Sequence, residues 1–74
     1  MGAATTKTIQ IVVNGQVREV PEARSLSETL AFLDVDPSRV AIELDRVIVN
    51  RAAWNQVRVD AGAALEIVQF VGGG

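Results

Sequence analysis

Apolar residues alternate near the start of the chain. In Thr8-Ile9-Gln10-Ile11-Val12-Val13, Ile9, Ile11 and Val13 share one face, while Thr8, Gln10 and Val12 share the other. β-Branched residues at a period of two predict a half-buried strand. Asn14-Gly15 follows at once. Both residues tolerate positive φ, so the pair predicts a two-residue hairpin turn. Gln16-Val17-Arg18-Glu19-Val20 returns as a second, more polar strand ended by Pro21. Arg18 and Glu19 discourage further pairing and mark it as a sheet edge.

The period then changes. Leu26, Leu30 and Leu33 fall at i, i+4 and i+7, with Phe32 beside that stripe, the spacing of an amphipathic helix. Ser25 with Glu28 three residues on matches a capping box. Pro37 disfavours helix at Asp36, so the helix is expected to end before Asp34-Val35-Asp36-Pro37. At about nine or ten residues it is too short to stand alone and must lie on the sheet.

Alternation resumes in Val40-Ala41-Ile42-Glu43-Leu44, with Val40, Ile42 and Leu44 inward. Asp45-Arg46 is a tight connection to a short strand, Val47-Ile48-Val49. Arg51-Ala52-Ala53-Trp54 reads as a turn or one helical turn, with Trp54 plugging the end of a small core. Val57-Arg58-Val59 is a brief extended piece, Asp60-Ala61-Gly62-Ala63 a turn, and Leu65 to Val71 the final strand. Strands around one helix imply an α+β layer pair with the helix on one face of the sheet. The expected organisation is a single domain over 8–71, a flexible arm or tag remnant over 1–7, and a flexible glycine tail over 72–74.

In the final strand Leu65 and Ile67 alternate inward, which turns Glu66, Val68 and Phe70 to the opposite face. One helix covers one face, so the other is expected to meet solvent. Val68 and Phe70, with Val71 beyond them, are therefore candidate docking residues.

Composition narrows the chemistry. The 74 residues contain no cysteine, histidine or tyrosine, and a single lysine, Lys7. Disulfides, thiolate metal sites and the usual general base are thereby absent, and a self-contained catalytic site is hard to assemble. Asp34 and Asp36 precede a proline turn, where carboxylates more often do turn chemistry than acid–base work. The formal charge is −2 with no basic stripe, so the footprint of a nucleic-acid binder is missing. No apolar run approaches a membrane span, and Met1–Lys7 has no signal-peptide core. The expectation is a cytoplasmic protein that meets neither nucleic acid nor membrane.

The tail, Val71-Gly72-Gly73-Gly74, contributes nothing to a core and carries a high ordering entropy. It is either a fraying end or a reacting end. Hairpin, helix, strands and a Gly-Gly terminus together resemble the ubiquitin-like β-grasp sulfur carriers, most nearly the thiamine-pathway (ThiS) branch. The resemblance covers about residues 8–74. It is carried by Asp36-Pro37-Ser38-Arg39-Val40-Ala41-Ile42-Glu43-Leu44, by Ile48-Val49 through Arg51 to Trp54, and by Glu66-Ile67-Val68-Gln69-Phe70-Val71-Gly72-Gly73-Gly74. Asn50, where relatives often have proline, and the Asp45-Arg46 turn depart from the pattern, both in loops.

The resemblance implies a ubiquitin-like β-grasp fold: a mixed four- to five-stranded sheet with one helix on one face. It implies a protein cosubstrate rather than an enzyme. Gly74 would be the site of adenylation and of the thiocarboxylate, and Gly72 and Gly73 a slim lead. The chain would bind no cofactor itself; ATP would be used by a ubiquitin-activating-like adenylyltransferase of the ThiF type. Sulfur would come from a donor such as a cysteine desulfurase and pass to a thiazole synthase of the ThiG type. The open alternatives are the molybdopterin-synthase small subunit, a ubiquitin-like modifier, or a non-catalytic interaction module.

Overall fold

The computed structural model describes residues 7–70. Strand β1 (Thr8–Val13) and β2 (Gln16–Pro21) form the hairpin expected from the alternation, with Ile9 opposite Val20 and Val13 opposite Gln16. Asn14 and Gly15 take φ of 49° and 83°, the doubly left-handed turn whose twist matches the strands it joins.

The helix α1 (Leu26–Phe32) opens on Ser25. The Ser25 amide donates to Glu28 Oε1 at 2.8 Å and the Glu28 amide to Ser25 Oγ at 3.1 Å, the reciprocal bonds of a capping box. At seven residues the helix is shorter than the sequence predicts. Proline is not what stops it. Asp34 turns left-handed at φ 63°, and the amides of Asp34 and Val35 return to the carbonyls of Ala31 and Leu30. That is a Schellman closure, built here on aspartate in place of the usual glycine.

Strands β4 (Val40–Leu44), β5 (Val47–Ile48) and β7 (Ala64–Gln69) complete the main sheet, in the order β2-β1-β7-β4-β5. Here β1 and β7 run parallel, whereas the β1–β2, β4–β7 and β4–β5 pairs are antiparallel. The sheet is therefore mixed, five-stranded and covered by one helix, as the β-grasp expectation requires.

A separate two-stranded ladder joins β3 (Arg24–Ser25) to β6 (Arg58–Val59). The sequence shows only a brief extended piece at Val57–Val59 and gives Arg24 no strand. The ladder lies at the start of α1, where the Leu26 amide donates to the Val57 carbonyl at 2.7 Å and the Ser27 amide to that of Trp54 at 3.1 Å. These bonds satisfy helix amides that would otherwise lack partners.

The core lies between sheet and helix. Leu26 and Leu30 from α1 meet Ile11, Val20, Ile42 and Leu65 from the sheet, with Trp54 closing one end. The Trp54 indole donates to the Val49 carbonyl at 3.0 Å, so burial leaves no donor unmade. Leu33 is only partly buried and Phe32 is exposed. No helix among the described residues is long and apolar enough to cross a membrane.

Candidate functional site

Strand β7 occupies the middle of the sheet. Its path decides where the chain goes next. On one side it pairs with β4 from Leu44↔Leu65 to Val40↔Gln69. The ladder continues one step further, where the Phe70 amide donates to the Arg39 carbonyl at 2.8 Å. On the other side the register with β1 is Val12↔Ala64 and Val13↔Leu65, because β1 turns away into the hairpin.

Asn14 takes over at that point. Its own amide donates to the Leu65 carbonyl at 2.8 Å. Its side-chain Nδ2 donates to the Ile67 carbonyl at 3.2 Å, and its Oδ1 accepts the Ile67 amide at 2.7 Å. An amide side chain has the donor and acceptor of a peptide group, so Asn14 extends the ladder past the end of its own strand. The chain is thus held on both edges up to Ile67, and on the β4 edge up to Phe70. The sequence reading gave Asn14 only a turn.

The open face follows from register. Val68 lies opposite Ala41, Glu66 opposite Glu43, and Glu43 opposite Ile48. Directly opposed residues share a face, so Val68, Phe70 and Ile48 stand away from the helix. They are 57%, 55% and 73% exposed, and Val17 across from Val12 adds a further apolar side chain on that face. Val68 and Phe70 are thus where the alternation places them. Ile48 and Val17 were not singled out from sequence, although the same alternation points them outward. The docking candidate Val71, and the tail residues Gly72, Gly73 and Gly74, lie outside the described residues.

Beside β7 on the helix side, a shallow cleft of about 430 Å³ carries Asn14, Asp34 and Asp36 on its rim. Asp36 accepts from the amide of Ser38 at 3.0 Å and from its hydroxyl at 2.8 Å. The Ser38 amide, its hydroxyl and the charges of Arg39 and Arg51 hold the Asp36 carboxyl below its ordinary value. A carboxylate kept ionised in this way is poorly matched to general-acid work at neutral pH. It caps the 3-10 turn Pro37–Arg39. Among the described residues no group of three His, Cys, Asp or Glu side chains is arranged to hold a metal ion, and no buried side-chain polar atom lacks a partner.

Comparison with known proteins bears on this arrangement. The ThiS family profile matches residues 11–74. A thiazole synthase of Paramagnetospirillum magneticum is 38% identical over 66 residues, covering 89% of this chain and 20% of that protein. The chain thus spans about one fifth of that relative's length. The protein ycf40 of Porphyra purpurea is 31% identical over 68 residues, which cover 92% of this chain and 96% of the relative. The crystal structure of a thiamine biosynthesis protein, ThiS, from Geobacter metallireducens superposes with a TM-score of 0.79 at 32% identity, covering 89% of this chain and all of that one.

Proposed function

The chain belongs to the ThiS family, and from that premise we propose that it is a sulfur carrier of thiamine biosynthesis whose reacting group is the Gly74 carboxylate. A carboxylate is a poor electrophile, so sulfur does not displace its oxygen unaided. A ThiF-type partner transfers AMP from ATP to Gly74, releasing pyrophosphate. Persulfide sulfur, supplied by a cysteine desulfurase, then displaces AMP. Thiol cleavage of the sulfur–sulfur bond leaves the thiocarboxylate, and a ThiG-type thiazole synthase consumes it. The chain itself supplies no catalyst. It supplies a terminus narrow enough to enter two partner sites, because Gly72, Gly73 and Gly74 have no Cβ to clash there.

The observation that carries this reading is the family match, which runs to Gly74. Thiazole synthase as the consumer is supported by a relative of that name of which one fifth matches this chain. Val68 and Phe70, with Val71, are proposed as the docking surface, because the first two present apolar side chains on the open face shortly before the glycine tail. The ThiS match also favours thiazole formation over molybdopterin synthesis.

Intact-mass measurement tests the proposal. With ATP, the activating partner and a persulfide donor, the chain should gain the mass difference between sulfur and oxygen. Removing Gly74 should abolish that gain without changing thermal unfolding. A wild-type chain that shows no gain with a competent partner from the same organism would sink the reading. Conversion of the thiocarboxylate by molybdopterin synthase, and not by thiazole synthase, would move it to the other pathway.

A further inference from the structure

Arg51 plays no part in the chemistry proposed above, yet its guanidinium makes one stacking contact and two hydrogen bonds. It lies over the Trp54 ring, 4.6 Å from the ring centroid. The ring is itself held, buried in the core and bonded to the Val49 carbonyl. From that seat the fork donates to two carbonyls, Nη1 to Pro37 and Nη2 to Val40 at 3.1 Å. Those two carbonyls bracket Arg39, whose own carbonyl accepts the Phe70 amide.

Strand geometry explains why a side chain is needed there. Carbonyls in an antiparallel ladder face alternate edges. The Arg39 carbonyl faces β7, so the Val40 carbonyl faces the outer edge of β4. Along that edge β5 pairs with Glu43 and Leu44, and the Val49 amide reaches the Ile42 carbonyl at 3.0 Å. The chain then bends into the 3-10 turn Arg51–Ala53. Among the described residues no backbone amide reaches the next outward carbonyl, Val40, and Arg51 supplies the donor.

We infer that Arg51 is a positioning residue for sulfur transfer, an inference that rests on the carrier reading. It fixes the Pro37–Val40 segment against Trp54, and with it the Arg39 carbonyl that anchors Phe70. The strand that leads to the reacting end is thereby held as far as Phe70. Lysine does not reproduce this, because only a planar fork can stack on the indole and reach two carbonyls together.

Two variants test it. Arg51→Lys keeps the charge, and Arg51→Met keeps an apolar stem on Trp54 without donors. In both, exchange of the Phe70 amide proton, read by NMR, should quicken by about three- to tenfold, the loss of roughly one hydrogen bond's worth of local stability. The Ile42 and Leu65 amides should keep their wild-type rates. In the sulfur-gain assay kcat should fall by about tenfold or more, as expected when the strand leading to the reacting end is held less firmly, while KM for the carrier stays the same. Wild-type exchange at Phe70 in both variants overturns the inference. So does a raised KM with kcat retained, which would make Arg51 a partner contact. A wild-type chain that gains no sulfur overturns the carrier reading itself, and is told apart because it fails before any variant is compared.

Discussion

Asn14 does two jobs at one position. Its backbone makes the first left-handed residue of the hairpin turn, and its side chain clamps Ile67, 53 residues away, through two hydrogen bonds. The first job is legible locally, since Asn-Gly between alternating strands specifies the turn. The second is not, because nothing in the residues around Asn14 says that β7 will lie alongside. Asn14→Gly separates the two. Glycine keeps positive φ at no steric cost but removes both side-chain bonds. We expect a loss of about 1–2 kcal/mol, one modest net contribution per hydrogen bond, measured by urea unfolding. A variant as stable as the parent would show that the clamp contributes nothing. Trp54 differs in that a lone tryptophan in a short chain reads as a plug from sequence, and it is buried as expected. Its Arg51 partner was not legible as such. The Arg51–Trp54 pairing needs the 3-10 turn that brings the two side chains together.

At the scale of elements, the start of α1 was readable and its end was not. A capping box is a local code, and both of its bonds are present. The stop depends on Asp34 adopting a left-handed conformation that few non-glycine residues take, and composition points more readily to Pro37. The capping box also has a pH signature. Glu28 lies below its ordinary value, chiefly because its carboxylate accepts the Ser25 amide, with the Ser25 hydroxyl, Arg24 and Arg58 adding to the effect against a burial contribution that raises it. A carboxylate whose folded pKa is lowered stabilises the fold fully above its unfolded value, about 4.3 for glutamate. That contribution is lost as pH falls through the lower folded value. Glu28→Gln keeps an oxygen for the Ser25 amide but cannot titrate. Its urea midpoint should therefore decline less steeply than the parent's below about pH 4. Parallel declines would place the acid sensitivity elsewhere.

At the scale of the whole molecule, one helix cannot cover both faces of a five-stranded sheet. The face away from α1 carries Val17, Ile48, Val68 and Phe70, all more than half exposed. A domain of this length holds only about 3–5 kcal/mol in its core, so a residue that belonged to the core would announce itself on substitution. Val68→Asp and Phe70→Asp should each change stability by less than about 0.5 kcal/mol, the usual range for surface positions. Each should also weaken binding to the activating partner, measured by titration calorimetry. A stability loss of several kcal/mol would instead make these side chains part of the core. Unchanged binding would remove them from the docking surface.

The family resemblance rests on motifs spread over about residues 8–74. The hairpin, the helix start, and the inward and outward faces of β1, β4 and β7 follow from the residue pattern alone. Each of these depends on residues close in the chain or on a period that repeats within one element. Tertiary structure alone decided which strands became neighbours. It set β7 parallel to β1 in the middle of the sheet, and it put the β3–β6 ladder under the helix start. It also brought Asn14 to Ile67 and placed Arg51 on the Pro37 and Val40 carbonyls, which bracket the Arg39 carbonyl that anchors Phe70. Those partners lie up to 53 residues apart, and backbone groups carry no side-chain label that would show in a sequence which carbonyl meets which donor.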